Sequence, residues 1–204
     1  LLVCNIRGYE TLCELITKAR RAAPKGEYQL AREDLPQAPE GLLAIWLPPK
    51  LVSETISNVS DTRFLSSRFP GAAYIAVELH RGADDAGRIR ALEGIGRQAG
   101  LPCVAAGDVH MHVRARKKLQ DVMSAIRLKC PLAEAGRRLQ PNAERYLRTI
   151  GRLSAIYPPH LLAATLDVAS RCTFSLDEIR YEYPQELVPA GQTPATHLRA
   201  LTQH

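Results

Sequence analysis

The sequence predicts an α/β protein with mostly parallel strands. Short apolar runs alternate with stretches of helical period through the first half of the chain. The segments between the runs have the length of strand–helix–strand connections. Apolar residues make up 46% of the 204 residues but aromatics only 5%, so the core is built from Leu, Ile, Val and Ala. Past residue 117 the pattern is helical only. The expected organisation is therefore an α/β region over 1–116 and a helical segment over 117–204.

Taken in order, Leu1–Asn5 reads as a strand. Leu12, Leu15, Ile16 and Ala19 then mark one face of a helix, which Pro24-Lys25-Gly26 ends. A polar loop through Pro36 and Pro39 leads to Gly41 and a second strand, Leu42–Trp46. Pro48-Pro49 stops it before a weaker helical stretch at Ser53–Ser67. Ala73–Leu79 is a third strand, Asp84–Ala99 a helix closed by Gly100, and Pro102–Ala106 a fourth strand ending at Gly107. An open sheet and a closed barrel both accommodate this order. Beyond it, Leu119, Val122, Met123 and Ile126 line one helix, Asn142–Leu153 forms a second, and Leu161, Leu162, Thr165, Leu166 and Ala169 mark a third. Pro184 to Pro194 reads as loop, with Thr193-Pro194 as the N-cap and first residue of a last helix.

Charged residues are 24% of the chain, the balance of an ordinary globular protein. Disorder throughout, collagen-like repeats and a disulfide-stapled miniprotein are excluded. The five cysteines are scattered and form no CxxC pair, which points to buried free thiols in a reducing cytoplasm. The longest apolar run, Leu42 to Leu47, is too short for a bilayer span, so no membrane partner is expected. The chain lacks an initiator Met and opens inside an apolar run, the expectation for a fragment of a longer protein.

The formal net charge is +6. Most of the excess falls in 114–152, where eleven basic residues face only Asp121, Glu134 and Glu144. Such a local excess suggests an anionic partner, nucleic acid before membrane, with a merely solvated basic face as an equal alternative on charge alone. Arg114, Arg116, Lys117 and Lys118 open the segment. Arg145, Arg148 and Arg152 would share one face of the second helix, with Ala143, Leu147 and Ile150 on the other. Tyr146 is the single aromatic among these arginines, so the expected contact is to phosphates, not stacked bases. Replacing the three with Ala is then expected to weaken DNA binding, less so at high salt.

The residues best suited to chemistry are in Gly107-Asp108-Val109-His110-Met111-His112, directly after the fourth strand. In extended backbone Asp108, His110 and His112 would fall on one side, and a carboxylate beside an imidazole suits zinc or manganese. Glu78-x-His80 ends the third strand with the same spacing, so His80 and Asp108–His110 would converge if the two strands are neighbours. A solvated strand end is the alternative, favoured for Glu78. No nucleophilic triad or phosphate-cradling glycine loop stands out.

The run Val104-Ala105-Ala106-Gly107-Asp108-Val109-His110-Met111-His112-Val113-Arg114 resembles the PHP (polymerase and histidinol phosphatase) domain of bacterial C-family DNA polymerases. Arg7-Gly8-Tyr9 with Leu12 and Leu15-Ile16, then Pro24-Lys25-Gly26, Gly41-Leu42-Leu43-Ala44, Tyr181-Glu182-Tyr183-Pro184 and Gly191-Gln192-Thr193-Pro194 agree in order. Ala44-Ile45-Trp46-Leu47-Pro48-Pro49 and Val77-Glu78-Leu79-His80-Arg81-Gly82 look more like the error-prone, damage-tolerant branch than the replicative one.

The resemblance covers essentially the whole chain. It implies part of a distorted β/α barrel with metal ligands on the strand C-terminal rim, followed by helices leading toward a palm domain. Asp108 and His110 match the last metal motif, and His80 an earlier one. The family's opening His-x-His is absent, and the apolar Trp46-Leu47-Pro48-Pro49 stands where replicative relatives carry another ligand. Weak or no zinc or manganese binding is therefore expected. Palm aspartates, with magnesium and deoxynucleotides, would lie beyond His204, so this segment alone is not expected to polymerise DNA. The implied whole is a bacterial, cytoplasmic translesion DNA polymerase, its PHP domain a scaffold facing DNA, with a sliding clamp or other translesion proteins as further partners. The alternative is a stand-alone PHP-type phosphoesterase in which metal-bound water attacks a phosphoester.

Overall fold

A computed structural model describes residues 1–49, 56–180 and 188–203. The expected motif at 181–184, and the start of the helix expected from Ser53, lie outside the described residues. Residues Leu1–Phe174 form one compact unit and Ser175–His204 a second, so the first unit runs well past residue 116.

The first unit opens with β1 (Leu2–Val3), a two-residue strand that leads directly into α1 (Ile6–Arg21). Asn5 is the N-cap of that helix, its Oδ1 accepting from the Gly8 amide at 3.0 Å. Leu15 and Ala19 are buried as expected, whereas Ile16 is half exposed. Gly8 meets the chain at Gly41 so closely that a Cβ there would sit 1.8 Å from the Gly41 carbonyl oxygen. Gly41 itself turns at φ +71°, a conformation open to glycine.

Strand β2 (Leu42–Trp46) follows, then α2 (Ile56–Arg68), β3 (Ala73–Glu78), α3 (Asp85–Ala99) and β4 (Cys103–Ala106). Gly100 ends α3 in the left-handed conformation at φ +69°. The sheet order is β1-β2-β3-β4, with β1 antiparallel to β2 and the rest parallel. In register, Trp46 lies opposite Ile75 and Glu78 opposite Ala106. The C-terminal ends of β3 and β4 therefore finish side by side, at His80 and Asp108.

Alternation along the strands divides the core. Leu42, Ala44, Ile75 and Val77 face Leu92 and Ile95 of α3 on one side, while Leu43, Tyr74 and Val104 face the other. Each fully buried Leu or Ile here contributes roughly 1.5–3 kcal/mol.

The described sheet is open. Helices fill the rest of the unit: α4 (Lys117–Leu128), α5 (Leu132–Ala135), α6 (Ile150–Ser154) and α7 (Pro159–Arg171). Helix α7 packs on β4, placing Leu161 in the first core cluster and Val168 in the second. Just before it, the Tyr157 hydroxyl donates to Ala106 O at 2.6 Å and accepts from the Leu79 amide at 3.1 Å. Burial raises the Tyr157 phenol above its ordinary range.

Two helical expectations change. Helix α4 forms, but Leu119, Val122, Met123 and Ile126 are exposed, and Ser124 and Ala125 are the buried pair. Asn142–Leu153 is not one helix: only Ile150–Ser154 is helical. Residues 145–147 run beside the loop after β4, with Met111 bridged in parallel to Tyr146. His110 N and Met111 N donate to Arg145 O at 2.9 and 3.1 Å, and Leu147 N donates to Met111 O at 3.1 Å. Those bonds use main-chain groups that a helix would have paired within itself. The helix starts only where Thr149 caps it, its Oγ1 accepting from Arg152 N at 3.3 Å.

The cysteines are free, as expected, but not deeply buried: Cys13 is exposed and the other four are intermediate. In the second unit, Ser175 and Glu178 cap a short 3-10 turn reciprocally. Helix α8 (Pro194–Thr202) begins with Thr193 as N-cap and Pro194 as its first residue.

Candidate functional site at the rim of the sheet

The parallel register brings Glu78, His80, Asp108 and His110 to one rim, and the strap of residues 140–149 supplies Arg145 to the same place. A cavity of about 270 Å³ opens there, lined by Glu78, His80, Asp85, Arg88, Asn142 and Arg145 among others.

Asp108 is the centre of the charge arrangement. Its backbone turns at φ +42°, so the chain is not extended through Asp108-Val109-His110 and the expected three-residue row does not form. Its Oδ1 lies 3.1 Å from His110 Nε2, and its Oδ2 accepts from Arg145 Nε at 2.6 Å. Burial pushes the carboxyl up, but Arg145, with His110 and His80 behind it, holds it below its ordinary range. His112 lies exposed beyond the turn.

His80 reaches across from β3, its Nε2 3.2 Å from Gly107 O, while its own carbonyl accepts from Asn142 Nδ2 at 2.7 Å. Burial and the Arg145 charge hold its imidazole below the ordinary histidine range. Glu78 is partly buried, and desolvation together with the Asp108 charge raises its carboxyl. Among the described residues no three His, Cys, Asp or Glu side chains are grouped to hold a metal ion. A zinc site needs about three or four protein ligands. Here the best donor, Asp108, has both oxygens turned to other partners. The residues present do not fit a zinc or manganese centre.

The basic residues divide into two sets. Arg114, Arg116 and Lys118 are exposed, and Lys117 is half-buried in a pair with Asp121 at 2.6 Å. Arg114 pairs with Glu144 while its guanidinium lies 5.0 Å from the Tyr146 ring centre. Arg145 and Arg148 point inward, with side chains only 9% and 2% exposed. Arg148 Nη2 donates to the Leu79 and Glu144 carbonyls, each at 2.8 Å. The shared basic helix face expected for Arg145, Arg148 and Arg152 is therefore absent, and Leu147 and Ile150, expected inside, are exposed.

Arg145 in the rim is what sequence reasoning missed. The available signal was the scarcity of acids: a strand-end Asp among surplus arginines must choose one of them as its partner.

Strand ends that gather titratable side chains around a cleft place the chain among parallel α/β proteins with a polar C-terminal rim. No family model matches the chain. It is 52% identical over 207 residues to an error-prone DNA polymerase of Dechloromonas aromatica, covering 99% of this chain and 20% of that protein. It is likewise 52% identical over 203 residues to the error-prone DNA polymerase of Pseudomonas aeruginosa, covering 100% and 19%. An error-prone DNA polymerase of Pseudomonas savastanoi pv. phaseolicola is 51% identical over 203 residues. The chain matches the N-terminal part of these proteins and spans about a fifth of their length.

Proposed function

We propose that this chain is the N-terminal segment of a bacterial error-prone DNA polymerase and serves it as a scaffold. The observation that carries this reading is identity near one half, sustained across the whole chain, to polymerases about five times as long. A PHP-type origin for the open sheet is part of the proposal, supported by the strand order and the Asp108–His110 rim. The intact protein would use DNA, deoxynucleotides and magnesium, act in the cytoplasm, and work with a sliding clamp or other translesion proteins. Exposed Arg114, Arg116 and Lys118 are the residues proposed to meet DNA phosphates. Arg145 and Arg148 would instead hold the rim. The phosphoesterase reading is not carried forward, because among the described residues no three His, Cys, Asp or Glu side chains are grouped to hold a hydrolytic metal.

The test is primer extension by the protein expressed from the complete gene. Extension past an abasic site, with a missense rate well above that of a replicative polymerase, is expected. A complete protein that leaves every primer unextended would refute the reading. In the same protein, Arg114, Arg116 and Lys118 changed together to Ala should weaken DNA binding, by a factor that shrinks as salt rises.

A further inference from the structure

Arg145 is tied to the turn after β4 twice. Its side chain donates to Asp108 Oδ2 at 2.6 Å, and its carbonyl accepts from His110 N and Met111 N. Nothing in the sequence reserved it for this position. The guanidinium is nearly buried, and a buried cation persists only where a counter-charge and hydrogen bonds compensate its lost hydration. Asp108 supplies that charge. The neighbours on either side hold the adjoining strand: Asn142 Nδ2 bonds His80 O, and Arg148 Nη2 bonds Leu79 O. The strap thus grips the ends of β3 and β4 together.

At Asp108 the guanidinium supplies the positive charge that a bound divalent cation would otherwise supply. It differs from such an ion in two ways. It is covalently part of the chain, so it cannot be lost or exchanged. It also donates hydrogen bonds, whereas a metal needs further electron-pair donors around it. Among the described residues no three such donors are grouped around Asp108, whose two oxygens already face Arg145 and His110.

We propose that Arg145 is a built-in cation that replaces a metal at Asp108, making the rim a fixed clamp for residues 140–149 instead of a hydrolytic centre. This inference rests on the rim's own geometry and holds whether or not the complete protein polymerises DNA.

Two measurements on the complete protein test it. Zinc and manganese are titrated against wild type and Asp108→Asn. Equal stoichiometry in both is expected, and one equivalent bound by wild type but lost in Asp108→Asn would overturn the proposal. Hydrogen exchange is then followed in the peptide containing His110 and Met111. Arg145→Met and Asp108→Asn should each speed exchange there at least tenfold, and the double variant should add little to either alone. Unchanged protection, or effects that multiply independently, would mean the pair clamps nothing. Should Arg145→Met fail to fold, Arg145→Lys replaces it in the same cycle. Lys keeps the charge but has no Nε–H at the position that reaches Oδ2, so the same acceleration is expected.

Discussion

The sheet and the strap that crosses its rim are stabilised by opposite means. In the sheet and the helix α3 packed on it, apolar side chains are inside: Ile75, Val77, Leu92 and Ile95 are completely buried. In residues 142–150 the charged groups are inside, while Leu147 and Ile150 are 63% and 83% exposed. The first region owes its stability to area removed from water, a term that tolerates detail. The second depends on a few directional bonds, each requiring its partner. The difference teaches that a short segment can be fixed without burying its hydrophobic residues, provided its main chain and its charges are already matched by a neighbour.

The comparison can be broken most forcefully in the core that the sheet shares with α3. Ile95→Ala removes three carbons of packing at a site with no exposure and should cost about 2–5 kcal/mol in urea unfolding. Next comes Arg145→Met, which takes away the buried charge and leaves Asp108 partly solvated; a loss of about 1–3 kcal/mol is expected in the same assay.

A pH series should sharpen the contrast further. Glu78 has a raised carboxyl in the folded protein, so its ionised form weakens the fold at neutral pH. Glu78→Gln should therefore be more stable than wild type at pH 7, and the gap should close as pH falls below the ordinary glutamate range. Asp108 has the reverse sign. Its depressed carboxyl contributes above the ordinary aspartate range and ceases to contribute as pH falls through its folded value. Asp108→Asn should accordingly flatten the acid limb of the stability curve. The smallest effect belongs to the exposed start of α6, where Ile150→Ser should change stability by no more than about 0.5 kcal/mol.

The same contrast explains what could be read from the residues. Leu42–Trp46 was legible to the residue, and Ala73–Leu79 and Pro102–Ala106 to within one, because strand burial follows local alternation. Gly100 marked the end of α3 through its left-handed turn. Helix α4 was legible as a helix, but not in its orientation. Its apolar stripe at Leu119, Val122, Met123 and Ile126 gives the same period whether or not anything covers it.

The strap was misread because 3.6-residue spacing of Arg145, Arg148 and Arg152 assumes a helix, and main-chain pairing to Met111 is invisible to spacing. At the rim, the approach of His80 to Asp108 followed from adjacent strands of equal reach. The direction of Arg145 did not, since it depends on a partner 37 positions away.

One phenol also links two strands of this protein. Where the ladder between β3 and β4 gives out after Glu78 and Ala106, the Tyr157 hydroxyl stands between an amide and a carbonyl, accepting a hydrogen bond from Leu79 N and donating one to Ala106 O. The two strand ends are thus joined, past their last shared rung, through a side chain that belongs to neither strand.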